Sequence, residues 1–202
     1  FKEGLLLART TIENNVIAYL DNDDSPDITN PIHSTEIAKA YGFDGPLVGG
    51  VTVWGWATDT IMEALGEGWL DQGWAEYLFR QPTYPGDSLT VKAVLNEDVP
   101  LASWSVEMIN KSGDVCVTGT VGLGKAEWLQ ELKLPGSMGA SSEPENKGPL
   151  TLENVEIGKD WLAAELGFSE EESTEFIAKK QHTDNPLFLC GNGIAHPSWT
   201  AR

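Results

Sequence analysis

Apolar residues occupy nearly every face of the stretch VTVWGWATDTIMEALG, residues 51–66. A helix that is apolar all round is buried on all sides, so this stretch predicts a buried helix. Gly49 and Gly50 precede it, and Gly66 is placed to end it. The pattern therefore predicts one central helix around which a domain is packed.

Beyond this helix, apolar and polar residues alternate, as they do in half-buried strands. Four strand candidates follow in succession, at residues 74–84, 87–95, 102–110 and 115–128. Turns are predicted between them at residues 85–87, 96–100 and 110–114. Sequential antiparallel strands with one face covered by a buried helix predict an α+β domain of two layers.

The first part of the chain predicts shorter elements. Residues 4–11 (GLLLARTT) have the pattern of a short apolar strand, and residues 12–20 (IENNVIAYL) have helical spacing of their apolar side chains. Residues 21–29 are polar and contain a proline, which indicates a loop. A short helix is predicted in STEIAKAYG, with Ser34 or Thr35 to cap it and Gly42 to end it.

The C-terminal quarter repeats the order of elements at the start of the chain. Residues 135–149 are rich in Gly, Ser, Pro and Glu and predict a flexible linker between a domain at 1–134 and a second unit at 150–202. The Asn-Pro-Ile triplet at 30–32 has a counterpart in Asn-Pro-Leu at 185–187. The repeat reaches Arg202 at the point where its own central helix should begin. We therefore expect either that the native chain continues or that the incomplete repeat packs on the first domain, and we favour continuation.

The charge balance narrows the possible partners. The 202 residues include 13 basic and 31 acidic side chains, for a formal net charge of −18. Such a surface repels phosphate backbones and anionic lipid, so we expect neither nucleic acid nor membrane as a partner. No apolar run is long enough to span a bilayer, and Cys116 and Cys190 lack metal-like spacing, so we expect a soluble cytoplasmic protein.

Three segments, NPIHSTEIAKAYGF, GPLVGGV and YPGDSL, resemble the MaoC-like, (R)-specific enoyl-CoA hydratase family. The resemblance covers the first 129 residues or so and continues into a partial second copy. It implies a hot-dog fold, in which an antiparallel sheet wraps around one central helix, in a two-copy arrangement whose second copy is incomplete. It also implies an acyl-CoA thioester substrate, with CoA present only as part of that substrate, no metal or other cofactor, and a homodimer or an internal pseudo-dimer.

The family's chemistry suits the residues found here. Histidine titrates near neutral pH, so His33 can take a proton from water and return one to the α-carbon. The backbone N–H of Gly50, with Gly49 beside it, would stabilise the charge that develops on the thioester oxygen. Glycine there would let the ligand approach the backbone closely. The predicted substrate-binding residues are Asn30, Pro31, Gly49, Val51 and Trp54.

The family places a carboxylate two residues before the Asn, and this chain has Ile28 there. Asp27, one step earlier, is the first candidate to replace it and Asp23 the second, unless the polar loop is only solvated. Purely structural roles for the same residues stay open. The Asn-Pro-Ile-His33 segment could only cap the next helix, and the two glycines could only ease packing at the helix start.

In the second copy, Phe188 stands at the position of His33 and Pro197 at that of Gly50, while His182 and His196 lie off the motif. Proline has no N–H to donate, so we expect this copy to be non-catalytic.

The leading hypothesis is a hydro-lyase acting on a trans-2-enoyl thioester. The alternatives are a catalytically silent hot-dog domain that binds acyl-CoA or serves as an assembly subunit and, third, a thioesterase. Basic contacts for the CoA phosphates are scarce in this chain, which counts against the hydro-lyase. The candidates for them are Lys92, Lys111 and Lys125.

Overall fold

A computed structural model describes residues 9–21, 31–96, 103–131, 151–153, 167–189 and 192–199. Within them, five strands form one antiparallel sheet in the order β1-β3-β4-β5-β2. The strands are β1 (Thr11–Ile17), β2 (Gly73–Phe79), β3 (Ser88–Asn96), β4 (Ser103–Asn110) and β5 (Val115–Leu123). All four strands predicted from the alternating pattern are confirmed, although the first and last were predicted to run several residues too far.

The central helix is formed by α2 (Gly50–Gly55) and α3 (Thr58–Leu65), which Trp56 and Ala57 join in helical conformation. Gly66 ends it with a φ of +78°, a conformation that glycine adopts without strain, as predicted. The core joins this helix to the inner sheet face, and its fully buried side chains include Ile61, Leu89, Val91, Val106, Met108, Val117 and Val121. An antiparallel sheet packed around one buried helix is the α+β hot-dog arrangement.

The helix predicted at residues 12–20 is wrong, because residues 11–17 form the edge strand β1. Strand β1 pairs with β3 over its full length, from Thr11 opposite Val94 to Ile17 opposite Ser88. Its side chains alternate, with Ile12 buried and Ile17 62% exposed. The apolar residues at 12 and 16 fit the spacing of a helix and the alternation of a strand equally well, and pairing with β3 selects the strand. Of the strand predicted at 4–11, only Thr11 is in a strand, while residues 4–8 lie outside the described residues.

The short helix predicted before the two glycines is confirmed as α1 (Thr35–Ala40). Ser34 occupies the N-cap position, but its side chain accepts no capping hydrogen bond. Gly42 follows the helix with a φ of +88°, which explains the stop. A further turn of helix, α4 (Trp69–Gln72), leads into β2.

The C-terminal segment packs on the central helix. Residues 1–126 and 169–202 form one compact unit, and residues 127–168 form another. In the first unit, α5 (Glu170–Phe176) continues into a π-helical turn (Ile177–Gln181) and a 3-10 turn (Pro186–Phe188). The Trp56 indole N–H donates to the Lys180 carbonyl (2.9 Å). The described part of this segment therefore packs on the first domain. The linker at 135–149 lies outside the described residues, and the boundaries at 134 and 150 and the continuation of the chain stay predictions.

Two side chains of this segment donate to one carboxylate of the central helix. The Thr183 hydroxyl donates to Asp59 Oδ2 (2.6 Å), and the Asn185 amide donates to Oδ1 (2.9 Å). The Tyr19 ring stacks on His182, with centroids 3.7 Å apart. These contacts hold the second Asn-Pro turn against α3.

Candidate functional site

His33 is the last residue of a 3-10 turn formed by Pro31–His33. The Ser34 N–H closes this turn on the Pro31 carbonyl (2.9 Å), and proline supplies a fixed φ at its first position. The Leu47 N–H donates to the Ile32 carbonyl (3.2 Å), which ties the turn to the segment just before the central helix. The imidazole is half-buried and held at the start of that helix.

The hydrogen bonds of His33 select one neutral tautomer. Its Nδ1 lies 2.5 Å from the Leu47 carbonyl oxygen. Because a carbonyl only accepts, Nδ1 must carry the proton, and Nε2 of the neutral ring is then an acceptor with no hydrogen-bond partner among the described residues. A fixed ring with an unprotonated Nε2 is the form that a general base requires.

The Nε2 edge of His33 faces Gly49, the residue at the N-cap of α2. A Cβ built on Gly49 would lie 3.6 Å from His33 Cε1 and 3.8 Å from Nε2. These are ordinary contact distances, so the imidazole touches this glycine without requiring it. The first N–H groups of a helix have no partner inside the helix, and here the Val53 N–H already bonds to the Gly49 carbonyl (3.0 Å). His33 therefore lies beside Gly49, at the end of the helix whose first N–H groups have no partner inside the helix.

At Gly50 the structure shows the crowding that the sequence left open as the alternative reason for glycine. A Cβ built there would lie 2.6 Å from Cζ of Phe79, closer than any real contact. The Phe79 ring, at the end of β2, therefore occupies the space in which a side chain of residue 50 would lie, so this space is not open to a ligand. No motif signals Phe79; its place at the sheet edge could only hint that it is near the helix start.

The remaining predicted residues are less informative. Trp54 is only 6% exposed and stacks on Tyr77, with centroids 4.2 Å apart, so its ring belongs to the core. Val51 is half-buried and Pro31 is exposed. Asp23, Asp27, Ile28 and Asn30 lie outside the described residues. The structure thus places His33 beside Gly49 and Gly50, and the catalytic and substrate contacts of all the predicted residues stay predictions.

The second copy repeats the backbone of this corner with different side chains. Pro186–Phe188 forms a 3-10 turn like that of Pro31–His33, closed by the Leu189 N–H on the Pro186 carbonyl (3.3 Å). Phe188 packs its ring edge on the imidazole of His196, with centroids 4.8 Å apart. By alignment His196 is the counterpart of Gly49, since Pro197 is that of Gly50. Where the first copy has an imidazole beside a glycine, the second copy has two buried rings in contact.

His196 is a buried and neutral histidine. It is 2% exposed, and burial lowers its pKa to about 4, a shift that the Asp59 charge opposes. The Ser198 N–H donates to Nδ1 (3.3 Å), and the Ser198 hydroxyl lies 2.8 Å from the same nitrogen. Nδ1 is therefore an acceptor and the proton sits on Nε2, the reverse of His33. This arrangement supports a structural role for the second copy.

The charged residues considered for CoA are spread over the sheet. Lys92 lies on β3 and pairs with Glu13 of β1 (3.3 Å), while Lys111 and Lys125 are exposed near the ends of β4 and β5. No group of three or more potential metal ligands comes together in the part of the chain that the structure describes. None of the described helices is both long and apolar enough to cross a bilayer.

Fold and site together define an α+β hot-dog domain with a fixed imidazole beside the first turn of its central helix. Solved structures similar to this chain include the (R)-hydratase from A. caviae involved in PHA biosynthesis, at 19% identity and a TM-score of 0.44, covering 58% of this chain and 98% of that one. A MaoC-like dehydratase from Phytophthora capsici is 21% identical, with a TM-score of 0.45 over 57% of this chain and 42% of that one. The ChsH1-ChsH2 complex from Mycobacterium tuberculosis is 18% identical, with a TM-score of 0.44 over 60% and 100%.

No protein-family model and no curated protein matches this chain. At these identities nothing about activity follows from the likeness alone, and the fold assignment rests on the strand order and the buried helix described above.

Proposed function

We propose that this protein is a hydro-lyase that adds water to, or removes it from, a trans-2-enoyl thioester such as an enoyl-CoA. The observation that carries the proposal is the position of the His33 Nε2 edge beside Gly49, 3.8 Å from a Cβ built there, together with the hydrogen bond from Nδ1–H to the Leu47 carbonyl. A base fixed beside backbone N–H groups is what the addition of water across a polarised double bond needs.

In the hydration direction, His33 Nε2 takes a proton from a water molecule while the oxygen of that water bonds to the β-carbon. The electrons of the double bond move toward the thioester carbonyl, whose oxygen gains negative charge that the Gly50 N–H stabilises. The imidazolium then returns the proton to the α-carbon. The reaction is redox-neutral, so neither an oxidant nor a reductant is required. Asp27, or Asp23 as second choice, would orient the water from the preceding loop.

Two further properties belong to the same proposal. CoA enters as part of the substrate, and the active form is a homodimer or an internal pseudo-dimer. We also expect the protein to act in the cytoplasm. Light scattering that shows a compact monomer would contradict the dimer.

The decisive experiment follows the loss of enoyl-thioester absorbance on a panel of trans-2-enoyl-CoAs from short to long, including branched ones. We expect kcat to fall by about a hundredfold or more in His33→Ala, the range for loss of a general acid–base. His182→Asn is the matched control, since it removes an exposed imidazole and keeps a residue that tolerates the φ of +50° found there. Absence of turnover by the folded parent on every substrate would refute the hydro-lyase.

A silent hot-dog domain that binds acyl-CoA or acts as an assembly subunit is the second candidate. The observation that favours it is Ile28, which stands where the resembled family has its carboxylate. A thermal shift on titration with CoA or acyl-CoA, without turnover, would support this candidate. Release of a free thiol, detected with a thiol reagent, would indicate the thioesterase instead.

A further inference from the structure

Phe79 occupies an unusual place for an aromatic side chain that is 51% exposed. Three carbons of its ring, Cζ, Cε2 and Cε1, lie 2.6, 2.9 and 3.0 Å from the position of a Cβ on Gly50. Cα–Cβ bonds of a helix lean toward its N-terminus, so a group on this vector at the first helical residue lies beside the helix start. The ring thus borders the same corner as the His33 imidazole, which contacts the neighbouring Gly49.

One aromatic side chain of the described residues supports the Phe79 ring. Tyr77, two residues earlier on the same face of β2, meets it edge to face with centroids 5.5 Å apart. Tyr77 in turn stacks on the buried Trp54. This row of three rings runs from the core to the helix start and supports the inner side of the Phe79 ring, while half of its surface stays exposed.

We infer that Phe79 is a specificity-determining residue, a wall of the substrate slot that discriminates against enoyl thioesters with a substituent on the α-carbon. The inference rests on the proposed function, in which the thioester oxygen approaches the Gly50 N–H. The α-carbon is bonded directly to the carbonyl carbon, so a substituent on it must enter the space beside Gly50 that the ring borders. A longer straight chain extends from the β-carbon, farther from this corner. The substrate class is therefore α-unsubstituted trans-2-enoyl thioesters.

The test compares the parent with Phe79→Ala and Leu78→Ala. Leu78 is the matched control because it is the preceding residue on the same strand, is similarly exposed at 55%, and points to the opposite face of the sheet. The substrates are trans-2-butenoyl-CoA and its 2-methyl derivative. We expect the kcat/KM ratio of methylated over unmethylated substrate to rise about tenfold or more in Phe79→Ala, as for one methyl group at a pocket wall, and to stay unchanged in Leu78→Ala. An unchanged ratio in Phe79→Ala would overturn the inference.

A second measurement does not depend on turnover. Diethylpyrocarbonate modifies neutral imidazole nitrogens, and the tryptic peptide of residues 10–39 contains His33 as its single histidine. If the Phe79 ring walls the corner, His33 should be modified several-fold faster in Phe79→Ala and at the parental rate in Leu78→Ala. An unchanged rate in Phe79→Ala would show that the ring does not restrict access, which overturns the inference.

The two measurements separate failure of the inference from failure of the proposed function. If the folded parent turns over no enoyl-CoA of the panel but Phe79→Ala accelerates modification, the hydro-lyase is refuted and the restriction of access by Phe79 is supported. Discrimination is then judged by calorimetric binding of butanoyl-CoA against 2-methylpropanoyl-CoA. If Phe79→Ala binds both ligands more tightly by the same factor, or neither more tightly, the specificity role is overturned. If only the methylated ligand binds more tightly, the role is supported.

Discussion

The C-terminal segment should lose stability as the pH falls, because His196 must stay neutral while it is packed. Its ring lies against Phe188, and the Ser198 N–H occupies its Nδ1. Burial lowers its pKa from 6.5 to about 4, and Asp59 is the charged group that acts against this shift. A histidine with a depressed folded-state pKa contributes stability that is fully present above the unfolded pKa. That contribution is lost as the pH falls from about 6.5 to about 4.

The size of the effect follows from the same two pKa values. Relative to about pH 7.5, linkage predicts a loss of about 2 kcal/mol at about pH 5 and about 3 kcal/mol at about pH 4. A His196→Gln variant has no imidazole to protonate, so it should be less stable at neutral pH but lack this part of the pH dependence. The prediction concerns the difference in the free energy of unfolding between the parent and His196→Gln, because carboxylates titrate in both proteins and cancel in the difference.

Urea unfolding followed by tryptophan fluorescence measures this difference, since Trp199 packs on Phe176 within the same segment. We expect the unfolding free energies of the parent and His196→Gln to converge by about 2 kcal/mol between about pH 7.5 and about pH 5. His182→Asn serves as control: it loses the stacking contact with Tyr19, but its unfolding free energy should change with pH as that of the parent does. A constant difference between parent and His196→Gln would refute the reasoning that protonation of a packed imidazole opposes the docking of this segment.

Two further perturbations test contacts that hold the unit together. Asp59→Ala removes the acceptor of Thr183 and Asn185 and should weaken docking of the C-terminal segment by about 1–2 kcal/mol. The measurement is hydrogen exchange, which should become faster in residues 177–188. Asp59→Asn is the control and should weaken docking less, because it keeps one acceptor oxygen. Gly50→Ala should cost about 1–3 kcal/mol in the free energy of unfolding because its methyl group meets the Phe79 ring, and should be tolerated in a Phe79→Ala background. A double-mutant coupling near zero would mean that the ring moves aside freely.

Most of the first domain could be predicted from local patterns. Strands β2 to β5 follow from alternation, and the central helix follows from apolar residues on all of its faces. Gly42 and Gly66 were predicted to stop their helices, and both adopt a positive φ. The two Asn-Pro triplets noted as a repeat in the sequence coincide with two 3-10 turns, Pro31–His33 and Pro186–Phe188. These features depend on neighbours within a few residues, which is why the sequence is enough to show them.

Other features depend on residues that are distant in the chain. Residues 12–20 suit a helix by spacing, and only pairing with β3 makes β1 a strand. The tautomer of His33 depends on the Leu47 carbonyl, and the crowding at Gly50 depends on Phe79. The packing of the second Asn-Pro turn on Asp59 joins residues more than a hundred positions apart.

The sequence by itself therefore determined the central helix, strands β2 to β5, the helix stops and the identity of the candidate base. The tertiary structure decided which nitrogen of that base is free, which ring shares its corner and where the second copy packs. The physical reason is that a hydrophobic period records only which face of an element is buried. What the buried face touches is decided when the whole chain packs, because burial is non-directional while hydrogen bonds and ring contacts require specific partners.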